Sequence, residues 1–103
     1  MSMLTVNKNK DGVKLTAELI GRVDVMTAPQ FENEISSELE GVTELVLDLK
    51  QLDYMSSVGL RVVVGLQKTM TARKGKFTIC SPSEGVIDIF TATGLTDILD
   101  IEQ

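Results

Sequence analysis

Two adjacent hydroxyls, Ser56 and Ser57, stand directly before the apolar stretch that runs from Val58 to about Arg73. A hydroxyl at a helix start can cap the helix or accept a covalent modification such as phosphorylation. The starts near Thr27 and Ser81 each carry an amide or acid, Gln30 and Glu84, where its side chain can reach back to the cap. Here the matching position is Gly59 or Leu60, so the first amides are expected to stay open to an outside anion such as a phosphate. Asp48 and Asp53 are the other candidates, because open α/β sheets place their sites at the carboxyl ends of parallel strands. They could hold Mg²⁺ or accept a phosphoryl group, but the plainer reading makes Asp48 an ordinary strand-end residue and Asp53 a loop residue. Cys80 reads as a small buried hydrophobe in a strand.

The chain has no His, which removes the commonest general base and every Ser-His or Cys-His nucleophile arrangement. One Cys and no His give no soft-metal site, and no glycine loop of the nucleotide-binding type is present. No enzyme, cofactor or metal is expected. Against 15 acidic residues the 10 basic ones leave a net charge of -5, which disfavours nucleic acid and anionic membrane as partners. At 103 residues and 43% hydrophobic content one core can close, so a single domain over residues 1–103 is expected. The start, residues 1–6, has no basic or long apolar region, and the lone thiol suits a reducing compartment. A cytoplasmic protein without membrane insertion is the expectation.

The elements that must position these residues follow from periodicity. Val13, Leu15, Ala17 and Leu19 alternate with polar residues as in a half-buried strand, and Asp11-Gly12 before it predicts a hairpin. Thr27-Ala28-Pro29-Gln30 predicts a capping box, and Ala28, Phe31, Ile35 and Leu39 a helix stopped by Gly41. Leu45 to Leu49 is nearly continuous apolar, as for a central strand covered on both faces. The stretch after Ser57 is predicted helical, with Gly59 and Gly65 marking close backbone approach. Lys76 to Cys80 predicts a strand, and Ser81-Pro82-Ser83-Glu84 a second capping box before a helix ended by Gly94. Ile98, Leu99 and Ile101 supply a last short strand. The predicted fold class is α/β: an N-terminal antiparallel hairpin, then alternating helices and parallel strands in one mixed sheet with the helices packed on it.

Gly21-Arg22-Val23-Asp24-Val25-Met26-Thr27-Ala28, Leu45 to Leu49, Met55-Ser56-Ser57-Val58-Gly59-Leu60-Arg61 and Thr93-Gly94-Leu95 resemble, in order and spacing, the motifs of the STAS family. Within it the chain is most similar to the bacterial anti-sigma factor antagonists, over nearly its whole length. The resemblance implies a STAS fold and a partner switch. The unmodified antagonist binds an anti-sigma factor that is also a serine kinase of ATPase fold; phosphorylation releases it, and a phosphatase restores it. It puts the acceptor at Ser57, with Asp24, Thr27, Met55, Ser56, Val58, Gly59 and Arg61 at the partner contact, in a chain that is a monomer when free. Ser56 stands where many antagonists carry Asp, and Val58 where they carry a second Ser. Met26 and Met55 border this end of the sheet, where a thioether fills a core or adapts to a partner. Two other readings stay open: a STAS subunit of an ABC-type transport complex that is never phosphorylated, and a receiver-like phosphorelay domain using Asp48 or Asp53.

Overall fold

The computed structural model describes residues 3–103; residues 1 and 2, part of the start read for a leader, lie outside the described residues. Asp11 and Gly12 turn the chain back on itself, with Gly12 at φ 62. They join β1 (Leu4–Asp11) to β2 (Lys14–Val23) in an antiparallel pair that sets Asp11 opposite Lys14. Then follow α1 (Ala28–Ser36), β3 (Glu44–Met55), α2 (Ser57–Ala72), β4 (Lys76–Cys80), α3 (Glu84–Ala92), a 3₁₀ turn (Leu95–Asp97) and β5 (Asp100–Glu102). Strand order across the sheet is β1-β2-β3-β4-β5, parallel from β2 onward. This is the expected mixed α/β order.

The sheet is covered on one face. Leu15, Ala17 and Leu19 of β2, Leu45, Leu47 and Leu49 of β3, and Phe77 and Ile79 of β4 are buried with Phe31 and Ile35 of α1, Val63 and Met70 of α2 and Phe90 of α3. Of the alternate positions, Thr16, Glu18, Val46, Asp48 and Cys80 are only half-buried, while Thr78 is buried. Two expectations are thereby corrected. Leu45 to Leu49 is not covered on both sides; Val46 made the run look continuous although it faces outward. Cys80 lies on the open face, its Sγ 3.5 Å from Ser81 Oγ, and is not a core residue.

β3 is longer than its apolar run suggests, because two register shifts against β2 each place an extra residue in β3. The buried positions pass from spacing two to spacing three, as Leu49, Leu52 and Met55, and the strand continues where a loop was predicted. Asp53 is therefore a strand residue. Asp48 sits mid-strand on the open face, and its carboxylate accepts the Lys50 amide at 3.0 Å. Asp48 lies well short of the strand's carboxyl end and Asp53 close to it, and among the described residues no group of three or more Cys, Asp or Glu could hold a metal ion.

α1 ends at Ser36, short of Gly41. The carbonyls that follow are taken by basic side chains: Lys10 Nζ donates to Glu38 O and Glu40 O, and Arg73 Nη1 donates to Leu39 O. They hold the segment as turns, with Leu39 still buried and Gly41 at φ 76. At α3 the cap is Ser83, not Ser81. Its hydroxyl accepts the Val86 amide at 3.4 Å and donates to Leu52 O at 2.8 Å, while Glu84 is the first helical residue. Val13 and Ile98 are exposed at turns instead of lying inside strands. Among the described residues no helix is long and apolar enough to cross a membrane.

Candidate protein-interaction site

The end of β2, the end of β3 and the start of α2 are locked together. Val23 pairs with Met55, and the Ser56 amide donates to Val23 O at 2.8 Å. Val23 and Met55 are buried, and Gly59 presses its backbone against both: a Cβ there would stand 2.7 Å from Val23 Cγ1 and 2.8 Å from Met55 Cγ. The expectation of close backbone approach therefore holds at Gly59. At Gly65 a Cβ would meet nothing within 4 Å, and that expectation fails.

The two hydroxyls divide the work. Ser56 is the cap, accepting the Gly59 amide on Oγ at 3.4 Å, so one amide expected to be open is already occupied. Ser57 is the first residue of α2, exposed, and its hydroxyl has no hydrogen-bond partner among the described residues.

Beside it the β2–α1 loop is braced from within. Asp24 Oδ1 accepts the amides of Met26 at 2.9 Å and Thr27 at 3.1 Å. The Thr27 hydroxyl accepts the Asp24 amide at 2.9 Å and donates to Arg22 O at 3.0 Å. Thr27 thus makes no side-chain cap to α1, and Gln30 donates instead to Leu4 O at 3.0 Å and to Glu34 Oε2 at 2.8 Å. The predicted capping box is not formed. Arg22 completes the brace, with Nε 3.3 Å from Asp24 Oδ2 and its guanidinium 5.0 Å from the Tyr54 ring centroid.

This bracing pushes Val25 and Met26 outward, 65% and 75% exposed, beside the partly exposed Tyr54. The surface at this end therefore carries Val25, Met26, Tyr54, Ser57 and Arg61, with Val58 half-buried between. Of the residues expected at the partner contact, Thr27, Met55 and Gly59 are buried in the free chain, and each positions a neighbour that is not. Asp24 and Ser56 are half-buried and act chiefly through the loop and the cap. Val25 and Tyr54 were missed in the sequence. The signal available was the pair of apolar residues inside Asp24-x-x-Thr27, where both ends of the loop fold inward and the middle cannot. Asp24→Ala is expected to lower stability by about 1–2 kcal/mol, as for a lost helix-terminal cap, and to speed hydrogen exchange at the Met26 and Thr27 amides. An unchanged melting curve and unchanged exchange would remove the bracing role.

The STAS domain family model matches residues 5–103. An anti-sigma-B factor antagonist of Bacillus subtilis is 33% identical over 96 residues, spanning 93% of this chain and 86% of the relative. The fold superposes on an anti-sigma factor antagonist from Mycobacterium paratuberculosis with a TM-score of 0.86 at 20% identity, covering 97% of this chain and 86% of that one. It also superposes on the Bacillus cell fate determinant SpoIIAA in its phosphorylated form with a TM-score of 0.75 at 20% identity, covering 96% and 92%. Mixed sheet, hairpin, serine-bearing helix start and family match agree, and this chain belongs to the STAS domain family.

Proposed function

We propose that the chain is an anti-sigma factor antagonist. It binds an anti-sigma factor through the Ser57 face, lets go when Ser57 is phosphorylated by a serine kinase of ATPase fold, and is restored by a phosphatase. It works in the cytoplasm, is a monomer when free, and catalyses nothing itself. One observation carries the reading: of two adjacent hydroxyls, Ser56 is spent on the cap while Ser57 is exposed and uncommitted. Modification of Ser57 therefore disturbs no bond the fold depends on. A phosphate adds about two negative charges at neutral pH at the first residue of α2, at the end of the sheet where Val25 and Met26 are exposed. The name of the Bacillus subtilis relative and the phosphorylated form of SpoIIAA support the same reading.

The test is incubation with ATP and the kinase-type anti-sigma factor from the same genome, followed by mass spectrometry. Phosphate on Ser57, none on Ser56, and none in Ser57→Ala is the expected result. Label confined to another residue, or no label, would sink the proposal.

A further inference from the structure

A groove of about 380 Å³ runs along α2 from Ser57, between that helix and the turn that follows α3. Its floor is apolar: Leu60 and Leu95 are buried, and Val64 is half-buried. Gly65 keeps it open, since a Cβ there would meet nothing within 4 Å. Its charged liners are Arg61 and Lys68, both cations in a chain of net charge -5. Lys8, Lys14 and Arg22 have carboxylate partners, and Lys10 and Arg73 hold backbone carbonyls. Arg61 and Lys68, like Lys50, Lys74 and Lys76 outside the groove, are exposed and make no ion pair or hydrogen bond through their side chains among the described residues. They stand seven residues apart on one helix face, two turns or about 10 Å. The groove thus pairs an apolar floor with two uncommitted positive charges at a fixed repeat.

We infer that this groove seats an amphipathic helix of the protein partner, bearing carboxylates two turns apart that reach Arg61 and Lys68 while its apolar side chains enter between Leu60, Val64 and Leu95. The inference rests on the reading of Ser57 as the working end of a protein-binding face. Charge complementarity selects the occupant: a basic helix would be repelled, and a neutral one would leave both cations unanswered. The placement also links the groove to the switch, because Ser57 lies four residues before Arg61. A phosphate there sits one turn from the guanidinium and competes with the partner's carboxylate for it.

The test is an NMR titration of the full chain with two synthetic helical peptides of about 18 residues, or five turns, that share one leucine face and carry either glutamates or lysines beside it. The glutamate peptide is expected to shift the amides of Leu60, Arg61, Val64, Lys68 and Leu95. Its affinity should fall about tenfold in Arg61→Gln/Lys68→Gln, the sum of two exposed ion pairs. Equal binding of the lysine peptide, shifts located elsewhere, no binding by either peptide, or an unchanged affinity in the double variant each overturns the inference. No kinase enters this measurement. Failure of Ser57 labelling therefore counts against the proposed function alone, and failure of the titration against the groove alone.

Discussion

Ser57→Asp is expected to weaken binding to the anti-sigma factor by about two to three powers of ten, and Ser57→Ala to leave it within about threefold. The difference comes from desolvation. The Ser57 hydroxyl has no partner among the described residues, so truncation to Ala removes no bond seen there, and Ser56 keeps the cap. A carboxylate at the same place must lose water against a face carrying Val25, Met26 and Tyr54, at a cost of about 3–4 kcal/mol. The helix start favours the same carboxylate by about 0.3–1 kcal/mol, since α2 has no acidic residue in its first turn. That gain is present in the free protein as well, so it raises the melting temperature without rescuing the complex. Calorimetric titration and thermal melts therefore move in opposite directions for Ser57→Asp, which separates a switch from simple misfolding. Equal affinities for the Asp and Ala variants would remove the phosphorylation switch.

Gly59→Ala is expected to cost about 2 kcal/mol and lower the melting temperature by about 8–16 °C. Helix propensity alone predicts the reverse sign, a gain of up to about 1 kcal/mol for replacing a helical glycine. Sterics prevail here because the new methyl would stand 2.7 Å from Val23 Cγ1 and 2.8 Å from Met55 Cγ, and both side chains are buried. Gly65→Ala, in the same helix with nothing within 4 Å, isolates the propensity term and should stabilise. In the background of Val23→Ala, Gly59→Ala should cost less than in the unmodified chain, because one of the two contacts it violates is gone while the one with Met55 Cγ remains. Stabilisation by Gly59→Ala in the otherwise unmodified chain would show that the β2–β3–α2 junction is loosely packed. The position of Ser57 would then not be fixed by it.

Much of this was legible before any coordinates. Asp11-Gly12 fixes the hairpin, and the alternation of Leu15, Ala17 and Leu19 fixes the covered face of β2. The serine pair marks the start of α2, because a hydroxyl before an apolar run of helical length has few other uses. What escaped has physical causes. Lys50 to Met55 looked like a loop because two bulges change the inward spacing from two to three, a pattern that no single strand period reports. Thr27 and Gln30 satisfied a capping motif in sequence, but their side chains found better bonds to Arg22 and Asp24 and to Leu4 and Glu34. Met55 and Met26 are the same residue type near the same end of the sheet, one buried and one exposed. Only the pairing of Val23 with Met55 and the folding inward of Asp24 separate them.

The strands lie in space in the order in which they occur in the chain. No later segment has to wedge between two earlier ones, so a nascent polypeptide leaving the ribosome can lay down each strand on an edge that already exists. With β1, β2 and β3 emerged, the buried leucines of β2 and β3 already stand side by side, and α2 is the next segment to cover them. Vectorial synthesis and sheet growth then run in the same direction. Pulse-labelled hydrogen exchange on stalled chains should find protection spreading from the hairpin toward β5, the three-residue strand Asp100–Glu102 that closes the molecule last.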